Sequence, residues 1–587
     1  MNWKVAATVL VLLGALAILI LLAPRPTGPP PSPPANPAPV TTKNSPELAR
    51  DYADADEDAV LEVEDVLADL AAQIRRKAWG GALFHVAADF EGSPLLRDAD
   101  GAAQEVGGVA IATAGPDPRR LDRAALGKAL AEFPVDSAVF KIPSAKLEGE
   151  ALTCRLKLDA SRTSAGRSKR WVPQGDAEFV RRKDRWLLRK FAGAELKTEE
   201  GSVRFLDVTA RLGLKSRYGY DDRDSTQVTF GRLYLGGIAA GDFDGDGRVD
   251  LFVPQIGSSL LFHHEGGTFR ECAKERGVTN EDTGAAAIFL DYDNDGLLDL
   301  LVVNHEPGKV WDRRTKTRVD NEGHRAIVLY HNVGGRFVDV TREAGLECRG
   351  PAMSVVAADV DGDGRLDFYV CMYKDESLDD PDAPQEVPRD VAGARDGVPN
   401  QLWISQGNGT FKEEAAKRGV ADTGWSLAAA FADYDGDGKP DLYLANDYGE
   451  NRLFRNRGDG TFEDATAKSG TRDAGFGMGV TWLDFDGDGK LDLYVSNMYS
   501  TAGNRILSRG PGKLPKERYE KLLKMANGNT LFRNNGDGTF SDVTKAMGVG
   551  RAGWAWSSAA YDYDNDGRPD LYVANGFRTS SYAVADI

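Results

Sequence analysis

One nine-residue segment, D-x-D-x-D-G-x-x-D, constrains this sequence most strongly, because it occurs six times between residues 242 and 570. The copies, called loops 1 to 6, are DFDGDGRVD at 242–250, DYDNDGLLD at 291–299, DVDGDGRLD at 359–367, DYDGDGKPD at 433–441, DFDGDGKLD at 484–492 and DYDNDGRPD at 562–570. An apolar run such as Leu442-Tyr443-Leu444 follows each copy directly. Recurrence over such long intervals is typical of repeat architectures, so the fold must place one structural unit at least six times.

The residues around five of the six loops divide into four short strands, whereas the second hairpin is not visible after loop 6. Around loop 4, SLAAAFA enters the loop, DLYLAN leaves it, and NRLFRN turns through Gly458-Asp459-Gly460 into TFEDAT. Gly-containing links between apolar runs are typical of β-hairpins, and four antiparallel strands per repeat around a ring make a β-propeller. We therefore expect a mainly β fold over residues 203–587, with six visible blades and a seventh left open. The segment 202–214 matches a fourth strand and is a candidate to complete the last blade.

Each loop offers the oxygen ligands of a hard cation. Calcium takes six to eight oxygens, and Asp at positions 1, 3 and 5 of a tight loop can converge on one ion. Gly at position 6 permits the sharp turn, the backbone carbonyl of position 7 adds an oxygen, and Asp at position 9 closes the shell. The predicted ligands at positions 1, 3, 5, 7 and 9 are Asp242, Asp244, Asp246, Arg248 and Asp250; Asp291, Asp293, Asp295, Leu297 and Asp299; Asp359, Asp361, Asp363, Arg365 and Asp367; Asp433, Asp435, Asp437, Lys439 and Asp441; Asp484, Asp486, Asp488, Lys490 and Asp492; Asp562, Asp564, Asp566, Arg568 and Asp570.

Two other interpretations of the loops are weaker. An EF-hand needs Glu at position 12, whereas position 12 is apolar in every loop: Val253, Val302, Val370, Leu444, Val495 and Val573. Asp and Gly are also ordinary turn residues, which would explain one copy but not six with Asp at the same four offsets. Four carboxylates in one turn repel one another unless a cation lies among them.

The overall charge agrees with bound cations. The formal net charge is −18, and about six Ca²⁺ ions would offset about twelve negative charges. Calcium is expected rather than magnesium because so many protein oxygens are offered. The same negative charge argues against a nucleic-acid partner.

The repeats resemble a known family. The loop followed by LYV, and then the unit LFxNxGxGTFxDVT, is similar to the FG-GAP/VCBS repeat of integrin α-chain propellers. The second unit is clearest at 451–470 and 529–548. Residues 203–578 are more similar still to the cartilage acidic protein-like group. The resemblance implies a calcium-stabilised extracellular propeller used for adhesion or recognition.

The N-terminal region has two segments of unusual composition. Residues 5–23 carry no charge, and nineteen helical residues span roughly 28 Å, close to the ~30 Å hydrocarbon core of a bilayer. No A-x-A cleavage site follows, so residues 1–23 are predicted to be a transmembrane signal anchor with the bulk of the chain periplasmic or extracellular. Secretion after cleavage is the alternative. Residues 24–56, with nine prolines before residue 40, are predicted to be a disordered stalk.

Residues 57–198 are predicted to form an α+β domain. Apolar residues at three- and four-residue steps predict a helix over 58–78 ended by Gly80-Gly81, and Asp122 is the expected N-cap of a second helix over 122–132. Alternating residues after 134 predict strands, with a hairpin turning at Lys183-Asp184. The plan resembles the nuclear-transport-factor-like fold, although no specific motif carries that resemblance. His85 or Asp89 could act as an acid–base group in that fold, but a docking or spacer domain is preferred.

Three insertions separate the second and third strands of their repeats, at 305–327, 373–399 and 499–527. In a propeller all three would emerge on one face, and long loops on a rigid scaffold often carry binding sites. We expect a protein or carbohydrate ligand on this insertion face. Candidate aromatic residues, which either contact the ligand or pack the insertions onto the ring, are Trp311, Tyr373, Tyr448, Tyr499 and Tyr519.

Two classes of function remain open. The preferred one is a non-enzymatic adhesion or recognition scaffold anchored to a membrane through residues 5–23, and the alternative is a polysaccharide-processing, lyase-like enzyme on the same propeller. No catalytic residue is expected, because the sequence has no G-x-S-x-G, H-E-x-x-H or phosphate-cradling motif. Five histidines show no ligand-like spacing: His263, His264, His305, His324 and His331. The four cysteines are expected to be buried thiols, with one bridged pair left open.

Overall fold

The structure is a computed structural model. It describes residues 55–106, 109–133, 135–164, 167–183, 185–202, 208–214, 237–255, 258–280, 282–306, 309–312, 317–320, 325–348, 350–374, 393–512, 514–563 and 566–575. The predicted anchor at 1–23 and nearly all of the stalk at 24–56 lie outside these residues. Among the described helices, none is both long enough and apolar enough to cross a bilayer.

The chain divides into two compact units. Unit 1 comprises Met1–Leu206, Ser500–Tyr519 and Thr579–Ile587, and unit 2 comprises Asp207–Tyr499 and Glu520–Arg578. The first segment of unit 1 ends at Leu206, and residues 500–519, which the sequence analysis placed in an insertion of the repeats, also belong to unit 1. The four cysteines are buried free thiols.

Unit 1 contains a curled seven-stranded sheet with helices. Its helices are α1 (Ala55–Arg75), α2 (Trp79–Phe84) and α3 (Arg123–Glu132). Its strands are β1 (Val86–Gly92), β2 (Gln104–Val106), β3 (Val109–Ala114), β4 (Ser137–Glu148), β5 (Ala151–Ser164), β6 (Arg167–Arg182) and β7 (Arg185–Ser202). The strand order is β2-β3-β7-β6-β5-β4, and β1 pairs in parallel with β7.

The sequence patterns in unit 1 account for most of these elements. The apolar stripe of α1, including Val63, Leu70 and Ile74, is fully buried, and this helix packs on β4. The side chain of Asp122 accepts a hydrogen bond from the amide of Ala125 at 2.7 Å, which confirms the predicted N-cap. One prediction was wrong, because 80–81 lie inside the short helix α2 and do not end the helical segment.

Unit 2 consists of repeated antiparallel sheets. Its strands are β8 (Ala239–Gly241), β9 (Asp250–Val253), β10 (Leu260–His264), β11 (Phe269–Glu271), β12 (Gly284–Leu290), β13 (Asp299–Glu306), β14 (Lys309–Asp312), β15 (Thr317–Asp320), β16 (Ile327–Asn332), β17 (Phe337–Asp339), β18 (Gly350–Ala358), β19 (Asp367–Met372), β20 (Gln401–Ser405), β21 (Phe411–Glu413), β22 (Trp425–Ala432), β23 (Asp441–Asp447), β24 (Arg452–Asn456), β25 (Phe462–Asp464), β26 (Gly477–Leu483), β27 (Asp492–Asn497), β28 (Thr530–Asn534), β29 (Phe540–Asp542), β30 (Ala555–Tyr561) and β31 (Asp570–Asn575). The remaining helices are α4 (Ala273–Arg276), α5 (Ala415–Arg418), α6 (Thr466–Ser469), α7 (Thr501–Leu507), α8 (Lys516–Ala526) and α9 (Thr544–Met547).

The four predicted strands of a repeat form one antiparallel sheet in chain order. Such sheets are β8 to β11, β22 to β25 and β26 to β29, while β30 and β31 pair alone among the described residues. Repeats 2 and 3 share an eight-stranded sheet, because β13 also pairs with β18 at its far end. The hairpin β14–β15 lies in the first insertion.

Consecutive repeats pack through their first strands. In chain order β8 contacts β12, β12 contacts β18, β18 contacts β22, β22 contacts β26 and β26 contacts β30. The second strand of each central repeat is deeply buried, and its residues Tyr369, Tyr443 and Tyr494 are among the largest buried side chains. The apolar run after each loop is therefore explained by its position inside the sheet.

A glycine turn after the fourth strand joins each repeat to the next. Gly277, Gly419 and Gly470 have left-handed φ angles of 89°, 86° and 77°, and a Cβ there would meet a backbone carbonyl of the following repeat. Gly213 makes the same approach to the carbonyl of Phe269, at φ 81°. Residues 208–214 thus occupy the place of a preceding repeat's last turn, in line with the sequence match of 202–214.

The chain returns to unit 1 within the third insertion. Helix α7 packs on β4, and the side chain of Ser500 caps it by accepting from the amide of Gly503 at 2.9 Å. Arg505 is 2% exposed, and its Nη1 donates to Glu64 Oε1 and to the carbonyl of Ile142, both at 3.0 Å. These contacts lie within unit 1, to which residues 500–519 belong, whereas the sequence-based expectation was one insertion face for all of 499–527.

Candidate metal centres

Backbone amides curl each loop around its first aspartate. In loop 4, Asp433 accepts from the amides of Gly436, Asp437 and Gly438 at 2.8, 3.0 and 2.8 Å. Asp437 in turn accepts from the amide of Lys439 at 3.1 Å. The corresponding position-7 residues in the other loops donate in the same way: Arg248, Leu297, Arg365, Lys490 and Arg568. The sequence alone therefore encodes a compact, repeated turn.

This turn requires two left-handed residues. Position 6 has φ between 81° and 89° in all six loops, as the prediction for its glycine requires. Position 4 is also left-handed, with φ of 71°, 62°, 76°, 75° and 74° at Gly245, Asn294, Gly362, Gly436 and Gly487. The sequence analysis missed this second requirement, although position 4 is Gly or Asn in every copy.

The aspartate at position 9 joins the loop to the third strand. Asp441 is fully buried; its Oδ2 accepts from the amide of Tyr434 at 3.3 Å and its Oδ1 from the amide of Asn456 at 2.7 Å. Burial, followed by the charges of neighbouring loop carboxylates, raises the pKa of Asp367 and of Asp441 to about 7. A cation beside these carboxylates would counteract both effects on the pKa.

Carboxylate oxygens from different positions converge. Groups with ligand atoms within 4.8 Å of one another include Asp242, Asp244 and Asp246; Asp291, Asp293 and Asp295; and Asp359, Asp361 and Asp367. The Oδ1 atoms of Asp244, Asp361 and Asp435 are buried without a hydrogen-bond partner among the described residues. In loop 6 the described ligands are Asp562, Asp566 and Asp570, and Asp564 lies outside the described residues. Orphaned, converging oxygens fit a hard cation.

Two histidines approach these carboxylates. His263 Nδ1 lies 3.2 Å from Asp250 Oδ1 and 3.4 Å from Asp244 Oδ2. His331 lies correspondingly 3.1 Å from Asp299 and 3.5 Å from Asp293. The conclusion that the histidines form no set with ligand spacing was wrong for these two, because strand pairing brings together residues that are distant in sequence.

Arginines take the same place in repeats 4 and 5. Arg455 donates to Asp435 and, at 2.8 Å, to Asp437. Arg533 donates to Asp486. The sequence does contain an indication of these contacts. Arg455 and Arg533 each directly precede the third-strand residue whose amide donates to the position-9 aspartate. Loops 1 to 5 thus each have a basic or imidazole side chain beside the position-3 aspartate. In loop 3 it is Arg418, which lies 3.1 Å from Asp361.

In repeats 2, 4 and 5, a third-strand asparagine connects the repeat to the one before it. Asn534 Nδ2 donates to the carbonyl of Tyr434 in loop 4 at 2.8 Å and to that of Leu491 in its own loop at 3.0 Å. Asn332 and Asn456 repeat this contact with Phe243 and Val360. The asparagine of LFxN is therefore an inter-repeat contact, which the sequence analysis did not identify.

The ends of the second strands opposite the loops are neighbours in consecutive repeats. The ring of His305 lies 6.3 Å from that of Tyr373, whose hydroxyl donates to Asp447 Oδ2 at 2.7 Å. Among the candidate aromatics, Tyr373 and Tyr448 pack on Trp425, each at 5.2 Å. Tyr499 lies beneath the guanidinium of Arg551.

The other candidate aromatics lie elsewhere. The hydroxyl of Tyr519 donates to the carbonyl of Leu507 within unit 1. The side chain of Trp311 and all of His324 lie outside the described residues, as do 375–392 of the second insertion.

The loops and their strands match a known repeat. The model of the FG-GAP-like repeat matches residues 242–302, 319–370, 389–444, 433–495 and 523–573, and these segments contain all six loops. The chain is an FG-GAP repeat protein.

Its curated relatives are cartilage acidic protein 1 sequences. The chain is 25% identical to that of Homo sapiens over 377 residues, covering 61% of this chain and 49% of the relative. It is 23% identical to that of Xenopus tropicalis over 372 residues, covering 58% and 48%. The chain thus spans about half the length of these relatives. A solved Agrocybe aegerita lectin structure, described as recognising non-reducing terminal N-acetylglucosamine, aligns at 16% identity over 72% of this chain and 85% of its own, but its TM-score of 0.29 supports no inference.

Proposed function

We propose that this protein is an extracytoplasmic, calcium-binding recognition or adhesion scaffold whose FG-GAP repeats form a β-propeller. The observation that carries the proposal is the six-fold recurrence of one carboxylate loop with converging, partly orphaned oxygens. The names of the curated relatives agree with a non-enzymatic role in an extracellular matrix. A propeller would present six calcium loops at one end of its second strands and the insertions at the other.

Three observations support calcium as the ligand. The loops provide only oxygen donors at positions 1, 3, 5 and 9, which is the preference of hard cations. The Oδ1 atoms of Asp244, Asp361 and Asp435 are buried without a hydrogen-bond partner among the described residues, and a cation would satisfy them. Burial of the position-9 carboxylates would be opposed without a positive charge nearby.

The propeller proposal rests on how repeats are joined. First strands contact one another in chain order, and the third-strand asparagines of repeats 2, 4 and 5 reach back to the preceding loop. Residues 208–214 occupy the position that the last turn of a repeat preceding repeat 1 would have. In a closed ring, the segment 202–214 would complete the last blade.

The membrane proposal rests on the sequence of residues 5–23, which lie outside the described residues. An uncleaved anchor predicts that the protein stays in the membrane fraction after alkaline carbonate washing. It also predicts that externally added protease removes both units from intact cells. Release of full-length mature protein into the medium would instead favour secretion.

A panel of anionic and neutral polysaccharides and matrix proteins would separate the scaffold from the lyase-like alternative. Each candidate is incubated with the purified protein in calcium and in EDTA, and both retention and chain length are measured. The scaffold proposal predicts calcium-dependent retention with unchanged chain length. Calcium-dependent shortening of a polysaccharide would overturn the non-enzymatic assignment.

A further inference from the structure

Asp447 is a buried carboxylate with an incomplete set of partners. It ends β23, at the opposite end of that strand from loop 4, and is 7% exposed. Its Oδ2 accepts the hydroxyl hydrogen bond of Tyr373 at 2.7 Å. Its Oδ1 is buried and has no hydrogen-bond partner among the described residues. One oxygen of this buried carboxylate therefore lacks a well-formed hydrogen bond among the described residues.

Among the residues that the structure describes, Asp447 also has no counter-charge. The other buried carboxylates outside the loops each lie near a cation among the described residues: Asp117 with Arg119 at 2.7 Å, Glu414 with Lys412 at 2.9 Å, Asp422 with Arg395 at 2.7 Å and Asp473 with Lys524 at 3.7 Å. No described Lys or Arg forms an ion pair with Asp447. Burial raises its pKa to about 7, against the opposing hydrogen bonds from the Tyr373 hydroxyl and from the backbone amide of Tyr448. A buried charge of this kind is costly unless something compensates it.

Three aromatic rings surround this carboxylate. The ring of Trp425 lies 5.2 Å from those of Tyr373 and Tyr448, and both tyrosines are half-buried, so the group borders solvent. Tyr448 has a φ of 54°, a strained conformation for a bulky residue, and such strain often accompanies functional sites.

One of these rings, that of Trp425, already lies beneath an ammonium group. Lys374 Nζ lies 5.2 Å from the centroid of Trp425 and 3.2 Å from Asp396, rather than pairing with Asp447. Aromatic faces attract cations because of their quadrupoles. The electrostatic character around Asp447 therefore favours a positive ligand over a neutral one.

We propose that Asp447, Tyr373, Trp425 and Tyr448 form a binding site for an organic ammonium, a protonated primary amine such as a lysine side chain or an amino sugar presents. The ammonium donates to Asp447 Oδ1 and supplies the missing positive charge, and its alkyl carbons lie against the tyrosine rings. The site is at the end of β23 opposite its loop, and its ligand differs from the cation proposed for the loops. The inference does not depend on calcium in those loops.

The test uses the purified full chain in calcium-containing buffer and three small probes. n-Butylammonium carries charge, N–H donors and an alkyl chain; n-butanol has the same shape without charge; tetramethylammonium has charge without a donor. Saturation-transfer NMR and ligand titration measure binding of each. We expect n-butylammonium to bind at least tenfold more tightly than n-butanol and more tightly than tetramethylammonium.

Substitutions test whether n-butylammonium binds at Asp447. Asp447→Asn should weaken n-butylammonium binding at least tenfold, whereas Asp459→Asn, an exposed carboxylate in the same repeat, should leave it unchanged. Tyr373→Phe removes the competing hydroxyl donor and should retain or tighten binding, which keeps the proposal testable if Asp447→Asn does not fold. Four outcomes would each overturn the proposal. They are equal binding of n-butylammonium by Asp447→Asn and wild type, binding of n-butanol as tight as that of n-butylammonium, loss of binding in Tyr373→Phe, and no binding of n-butylammonium at 20 mM.

Discussion

At the scale of single residues, the chemically identical aspartates of a loop have different structural roles. The position-1 carboxylate holds the turn by accepting amides, and the position-9 carboxylate ties the turn to the third strand. The position-3 carboxylate makes no backbone hydrogen bond, and in loop 4 its only described hydrogen bond is with Arg455. Position 3 is therefore where metal binding can be tested with the least disturbance of the fold.

Asp435→Asn should remove one bound calcium ion without unfolding the loop. Calorimetric titration is expected to show one site fewer, or one site weakened at least tenfold, because the variant loses a charged ligand. In EDTA the variant should melt like the wild type, since no backbone partner is lost. The matched control is Asp459→Asn, whose carboxylate caps the neighbouring hairpin; an equal loss of calcium there would contradict the assignment of the loop.

Asp447 should make stability depend on pH in an unusual direction. Its pKa is about 7 in the folded protein against an ordinary 3.8, so the folded state binds a proton that the unfolded state releases between these values. Lowering the pH from about 8 to about 5 should therefore stabilise wild type relative to Asp447→Asn, by about 2–4 kcal/mol. Urea unfolding of both proteins across this range, in constant calcium, measures the difference. A difference that does not change with pH would show that the Asp447 carboxylate is not perturbed.

At the scale of secondary-structure elements, much of the fold could be predicted because the sequence signals are local. Loop glycines, hairpin glycines and alternating apolar residues each specify a neighbouring turn or strand, and Asp122 specifies its own helix start. What could not be predicted depends on pairing between distant segments. His263 reaches Asp250, and Asn534 reaches Tyr434, only after strands have aligned, so sequence spacing gave no indication of either contact.

Asn534→Ala should destabilise the protein, whereas Asn535→Ala should not. Asn534 is buried and donates to two carbonyls in adjacent loops, which would be left without donors, whereas Asn535 is exposed. Leaving these buried acceptors unpaired should cost about 1–3 kcal/mol. Chemical denaturation in calcium-containing buffer measures the free energy of unfolding of both variants. Similar midpoints for the two would indicate that the asparagine contact between repeats contributes little.

Arg505→Ala should loosen α7 in unit 1. The variant leaves the carboxylate of Glu64 and the carbonyl of Ile142 without this donor, and the cost is moderated because Glu64 is partly exposed. We expect at least tenfold faster hydrogen exchange in α7 and β4, with unchanged exchange in β22 to β25. Arg505→Lys retains the charge but not the planar guanidinium, so its hydrogen exchange in α7 and β4 should be intermediate between that of wild type and that of Arg505→Ala. Unchanged exchange in α7 would contradict the role of this contact.

At the scale of the whole molecule, the repeat region and the N-terminal region differ in how far the sequence determines them. Six copies of one motif define the period, the sheets and the candidate ion sites of unit 2. Unit 1 has no such motif, and it includes residues 500–519, where the buried Arg505 is marked by no local sequence pattern. The formal charge of −18 belongs to the whole chain, and about six divalent ions would remove about two thirds of it.

Calorimetric titration of the EDTA-treated, dialysed protein with Ca²⁺ tests the central claim most directly, with melting measured on the same samples. The account predicts about six ions per chain and a much higher melting temperature in calcium, since each site filled at 100 times its Kd adds about 2.7 kcal/mol of stability. Mg²⁺ at the same concentration should have a smaller effect. Absence of calcium binding, together with a melting temperature that EDTA does not change, would contradict the assignment of the six loops as metal sites.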